Sequence, residues 1–146
     1  MNTNSILVAA ENAISSILLP YLDGSIIESQ VYISDESLVK EPMPFLVIHA
    51  TNATEEITPN SGIYKVEVML TFKSHIKETS TDQRTDAIER VMNFISTTPT
   101  SLLSSVLNFH CHGFVEESGR MEVDTENKAY VYETNLCLYC MPRDNT

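Results

Sequence analysis

The chain has 146 residues, of which 42% are hydrophobic and 20% charged, and its formal net charge is −11. That length predicts a single domain over residues 1–146, and the composition excludes a disordered acidic tail, while four glycines exclude collagen or a flexible linker. The acidity disfavours phosphate backbones, whose binding depends on Lys and Arg releasing counterions, and the nine basic residues are scattered.

The first basic residue is Lys40 and the longest unbroken aliphatic stretch is Ile6 to Ala10, so neither a secretory leader nor a membrane anchor is expected. Three cysteines make an odd count, which predicts free thiols in a reducing compartment.

From Asn4 to Leu19, Ile6, Leu7, Ala10, Ala13, Ile14, Ile17 and Leu18 recur at helical spacing, and Pro20 stops the run. Val31-Tyr32-Ile33 predicts a short strand. Phe45 to Ala50 is a mostly apolar run of strand length, read as central and covered on at least one face. Thr51 to Ser61 is then expected to be a polar loop carrying Glu55 and Glu56.

Tyr64 to Ser74 is the clearest strand. Tyr64, Val66, Val68, Leu70 and Phe72 alternate with Lys65, Glu67, Thr71 and Lys73, and Met69 interrupts the polar face. A helix is expected from Thr81 to Ile95, opened by a capping box with Ser80 as N-cap and Gln83 reaching back. Its expected buried stripe is Ala87, Ile88, Val91, Met92 and Ile95, with Asp82, Arg84, Glu89 and Arg90 in water. Ser101 to Leu107 suggests one or two further helical turns.

Two antiparallel strands are expected at Phe109 to Glu117 and Ala129 to Met141. In the second, Tyr130, Tyr132, Thr134, Leu136 and Leu138 share one face, opposite Glu133, Asn135 and Tyr139. Ser118 to Lys128, with Glu122, Asp124 and Glu126, reads as the connection. The order α-β-β-β-α-β-β predicts an α+β fold: a mixed β-sheet of about five strands with two main helices packed against it.

No nucleophile elbow, phosphate-binding loop, dinucleotide fingerprint or H-E-x-x-H motif is present. His110 and His112 would share a strand face, a spacing that can supply two corners of a zinc site. Cys137 and Cys140 lie three apart on an expected strand, so they would point to opposite faces and could not chelate together. Cys111 between the histidines invites a nucleophile reading, but strand neighbours point apart. No catalytic, metal-binding or cofactor-binding residue is assigned.

The run from Pro44 to Ile95 carries a resemblance. A strand, Pro44-Phe45-Leu46-Val47-Ile48, and a polar loop precede the long alternating strand that opens at Gly62-Ile63-Tyr64. A polar turn then leads to Thr85-Asp86-Ala87-Ile88-Glu89-Arg90-Val91-Met92. With a helix before it, and a closing strand Tyr132 to Pro142 ahead of Arg143 and Asp144, this resembles the tail terminator and tail-completion proteins of long-tailed bacteriophages. The resemblance implies a non-enzymatic virion protein without cofactors. It implies a ring, usually a hexamer, that caps the tail tube, ends its polymerisation and joins tail to head. The implied partners are the chain itself, a tail tube protein and a head-completion or neck protein, with DNA passing through unbound.

Met69, Val131 and Tyr139, on otherwise polar sheet faces, are expected where a second subunit could cover them. Glu55, Glu56, Glu122, Asp124 and Glu126 are the contact candidates on the two polar connections. Two other readings remain open: a neighbouring head-completion or connector protein, and a small metal-dependent enzyme using His110 and His112.

Overall fold

The structure, a computed structural model, describes residues 3–35, 42–55, 62–76, 81–107 and 109–142. The chain is α+β. It opens with helix α1 (Thr3–Leu18) and a 3-10 turn (Leu19–Leu22), then runs through strands β1 (Val31–Ile33), β2 (Phe45–Glu55) and β3 (Tyr64–His75). Helices α2 (Thr81–Thr97) and α3 (Thr100–Leu107) follow, then strands β4 (Phe109–Asp124) and β5 (Ala129–Pro142). The five strands form one sheet in the order β1-β2-β3-β5-β4. Among the described residues only β1 and β2 are parallel, which makes the sheet mixed.

Alternation along β3 sets the two sheet faces. Val66, Val68, Leu70 and Phe72 turn toward the helices, opposite Leu138, Leu136, Thr134 and Tyr132 of β5. Leu46, Ile48 and Ala50 of β2 join them, and α1 lays Ile6, Ala10, Ala13, Ile14 and Leu18 over this layer. Each large aliphatic side chain buried this way contributes about 1.5–3 kcal/mol. Residues Ser5–Leu22 are long and apolar enough to cross a membrane by length and composition. In the fold that apolar stripe packs on the sheet, as the core helix of a folded domain does.

The α2 face is rotated from the expected stripe. Ala87, Val91 and Phe94 are buried, whereas Met92 is 50% exposed. Spacings of four and three residues keep Ala87, Val91 and Phe94 in one line, and Met92 falls about 100° beyond Val91. Phe94 packs edge-on between the rings of Tyr21 and Phe114, at 5.7 and 5.8 Å. Arg90, expected in water, is half-buried. It pairs with Asp86 at 2.8 Å and donates to the carbonyls of Tyr21 and Asp23, which ties α2 to the 3-10 turn. Arg84 lies 3.6 Å over the Tyr130 ring, a cation–π contact with the sheet. The Ser80 cap lies outside the described residues.

Two expected loops begin as strand, and residues 56–61 of the first lie outside the described residues. β2 continues through Thr51 to Glu55, pairing with β3 as far as Glu55 opposite Tyr64. A β-bulge between Ala50 and Asn52 breaks the alternation there, so the polar run reads as loop although it keeps the ladder. β4 likewise continues through Ser118 to Asp124, with bulges at Cys111/Gly113 and Glu116/Ser118. The connection to β5 shrinks to residues 125–128, where Lys128 takes a positive φ of 53°. The short helix expected at Ser101 to Leu107 is α3, which packs against β4 and α1.

Candidate functional site

The sheet face turned away from the helices carries most of the residues singled out above. Lys65, Glu67, Met69 and Lys73 of β3 stand beside Tyr139, Cys137, Asn135, Glu133 and Val131 of β5. Met69 lines a shallow hollow with Arg120, Glu133 and Asn135. Tyr139 is half-buried against Gly113, where an added Cβ would come within 3.3 Å of its ring. Glycine therefore lets β4 approach this ring closely. Val131, a position that a second subunit or the chain's own loops could cover, is only 6% exposed within this chain.

The acidic candidates are dispersed. Glu55 ends β2, and its carboxylate accepts the Gly62 N–H at 3.0 Å, closing the β2–β3 connection. Glu56 lies outside the described residues. Glu122 pairs with Arg120 at 3.2 Å, and Arg120 also reaches Glu133 at 3.4 Å, so this acid belongs to a cross-strand charge ladder. Asp124 accepts both the Asn127 backbone N–H at 3.1 Å and its side-chain amide at 2.8 Å. These bonds hold its carboxyl below the usual carboxylate range. Asp124 fixes the hairpin turn, and Glu126 stands exposed at its tip.

Sequence reading missed a charged cluster at the centre of this face. Lys65 donates to Glu117 at 2.8 Å and lies 4.0 Å from Glu67, while the Cys137 thiol donates to Glu117 at 3.2 Å. The hydrogen bond from Lys65, then that from Cys137, lowers the Glu117 pKa. The bond to Glu117 raises the Lys65 pKa. Burial first, then donation to Glu117, pushes the Cys137 thiol up to about 12. Glu67, Glu117 and Cys137 bring their ligand atoms within 4.8 Å of one another, the spacing a metal ion needs. Lys65 supplies the positive charge there and the thiol keeps its proton, so a cation would have to displace the one and ionise the other. The cluster joins residues far apart in sequence, and only strand register brings them together.

On the helix side, Cys111 is buried while His110 and His112 on either side of it are exposed, as strand alternation predicts. His110, Cys111 and His112 line one hollow together with Thr100, Ser101 and Ser104 of α3. The two imidazoles meet edge-on with centroids 4.5 Å apart. Ser104, which sequence reading did not single out, accepts the Cys111 N–H at 2.8 Å and seats the start of β4 on α3. Among the described residues, the only group of three side chains spaced for a metal is Glu67, Glu117 and Cys137, so no third ligand joins the two histidines. Cys137 and Cys140 point to opposite faces, as the strand spacing predicts; Cys140 lies instead directly opposite Cys111.

No family model matches the chain, and no curated protein matches it. Among solved structures, it is similar to a chain in the virion of a native gene transfer agent particle, at 5% identity and a TM-score of 0.56. That similarity covers 89% of this chain and 96% of the other. The two chains share a fold over nearly their whole lengths. A second similarity, to a structure from Akkermansia muciniphila solved without its transmembrane region, has 10% identity and a TM-score of 0.31. It covers 66% of this chain and 46% of that one, and it is too loose to bear on fold or function.

Proposed function

We propose that this chain is a non-enzymatic structural protein of a phage-like virion: a terminator that closes into a ring, caps the tail tube, ends its growth and joins it to the head. The observation that carries this reading is the shared fold with a gene transfer agent virion chain over 96% of that chain's length. It agrees with the resemblance in Pro44 to Ile95.

The architecture suits the task. β4 ends the sheet with 16 residues, so one side of its backbone faces no other strand of the chain among the described residues. Such an edge can pair with the next subunit, and head-to-tail pairing repeated by rotation closes a ring, a hexamer in this proposal. The net charge of −11 keeps DNA moving through the lumen rather than held there. Met69 and Tyr139 on the sheet face, with Glu55 and Glu122 on the strands, Glu126 in the β4–β5 turn, and Glu56, are the proposed contacts with a neighbouring subunit, the tube protein or a neck protein. Val131 and Asp124, the one buried and the other bonded to Asn127, support their neighbours instead.

Native mass spectrometry and negative-stain microscopy of the purified chain, alone and with the tube protein of the same particle, test this. Closed rings seated at one end of tubes that have stopped growing are expected. A chain that stays monomeric and leaves tube length unchanged would refute the proposal.

A further inference from the structure

We infer that Cys111 and Cys140 are a thiol-modification site, at which a low-molecular-weight disulfide of the glutathione class enters beside His110 and His112 and leaves the two cysteines joined. The two residues are register partners on adjacent antiparallel strands. The Cys111 N–H is taken by Ser104 of α3 rather than by β5, and its carbonyl faces the same hydroxyl at 3.4 Å. Cys111 and Cys140 are thus a non-hydrogen-bonded pair, the kind whose Cα atoms lie closest, at about 4.5 Å, within the about 4.4–6.8 Å a disulfide spans. Both side chains are buried on the same sheet face, and both are reduced.

The two sulfurs are not equivalent. Cys111 is among the residues that line the hollow with His110, His112 and α3 and is 3% exposed, whereas Cys140 is not among them and is 0% exposed. The Cys111 thiol donates to the Gly113 carbonyl at 3.3 Å, and its neighbourhood with Cys140 lowers the Cys111 pKa and raises that of Cys140. Because Cys111 borders the hollow and Cys140 does not, Cys111, once it gives up the proton it donates to Gly113, is the attacking thiolate and Cys140 the resolving thiol.

In the first step the Cys111 thiolate attacks one sulfur of the glutathione disulfide. Its S–S bond breaks, and one glutathione leaves and takes up the proton that Cys111 lost. In the second step Cys140 gives up its proton and attacks the Cys111 sulfur of the mixed disulfide, and the second glutathione departs as a thiol. Two protein thiols are oxidised to one disulfide, and one glutathione disulfide is reduced to two thiols. Cys137 lies on the opposite face with its proton held toward Glu117, so it takes no part.

The test is to incubate the full chain with glutathione disulfide at mildly alkaline pH, quench in acid, unfold and alkylate. The three free thiols should fall to one, mapped to Cys137, with a Cys111–Cys140 linked peptide recovered. Cys140→Ala should stop at a glutathione adduct on Cys111. Three thiols still titratable, an adduct on Cys137, or links only between chains would overturn the assignment, and the unmutated chain decides among these whether or not the variant folds.

Discussion

Glu11 of α1 accepts the backbone N–H of Ala50 at 3.3 Å, just past Ile48, the last residue of β2 that pairs with β1. Three-residue β1 ends too early to satisfy this donor, and a helix carboxylate replaces the missing strand. The same carboxylate lies 3.6 Å from His49. Ala50 is 7% exposed, so its N–H would otherwise face a dry interior.

Replacing Glu11 with Ala should therefore destabilise the fold by about 1–3 kcal/mol, the cost of an unmet buried donor. Glu11→Gln keeps an acceptor in place and should lose clearly less. Urea unfolding of the two variants measures the difference. Equal losses would mean that the carboxylate charge, and not the bond to Ala50, matters there.

A second test separates neighbours on α2. Val91 is 1% exposed, so Val91→Asp buries an unpaired carboxylate and should cost several kcal/mol, enough to unfold a marginal domain. Met92→Asp, at a position 50% exposed, should melt within a few degrees of the parent. Circular dichroism melts of both variants check the rotation of the helix. If Met92→Asp is the damaging change, the buried face has been misassigned.

Much of this architecture is legible in the residues. Val66, Val68, Leu70 and Phe72 mark β3 because uninterrupted alternation against one packed layer leaves a period of two. α1 is legible because its apolar positions repeat at helical spacing. What escapes is long-range or irregular. The bulge at Ala50/Asn52 resets the alternation in β2, and the bulges at Cys111/Gly113 and Glu116/Ser118 do the same in β4. Polar strand ends then look like loops. Lys65, Glu67, Glu117 and Cys137 meet only through the β3-β5-β4 order, which local spacing does not encode. The hollow around Cys111 depends on a bulge and on Ser104, neither of which has a local signature.

The Lys65–Glu117 pair predicts a pH dependence with a definite sign. The Glu117 pKa is lowered in the fold by Lys65 and Cys137, so its contribution is present above the unfolded carboxyl value of 4.5 and is lost as pH falls through the lower folded value. The Lys65 pKa is raised, so its contribution is complete below 10.5 and is lost only as pH rises through the higher folded value. Glu117→Gln should melt below the parent at neutral pH by a small margin, since the pair is partly exposed. That margin should vanish in acid. A margin that stays constant into acid would assign the effect to packing rather than to charge.

The proposed termination of a tail tube can be read by imaging particles assembled in an infection or induction from which this chain has been removed. Electron micrographs should then show tails of irregular and excessive length, together with filled heads left unjoined, and resupplying the chain should restore uniform tails. Tails of normal length joined to full heads in its absence would rule out a terminator role.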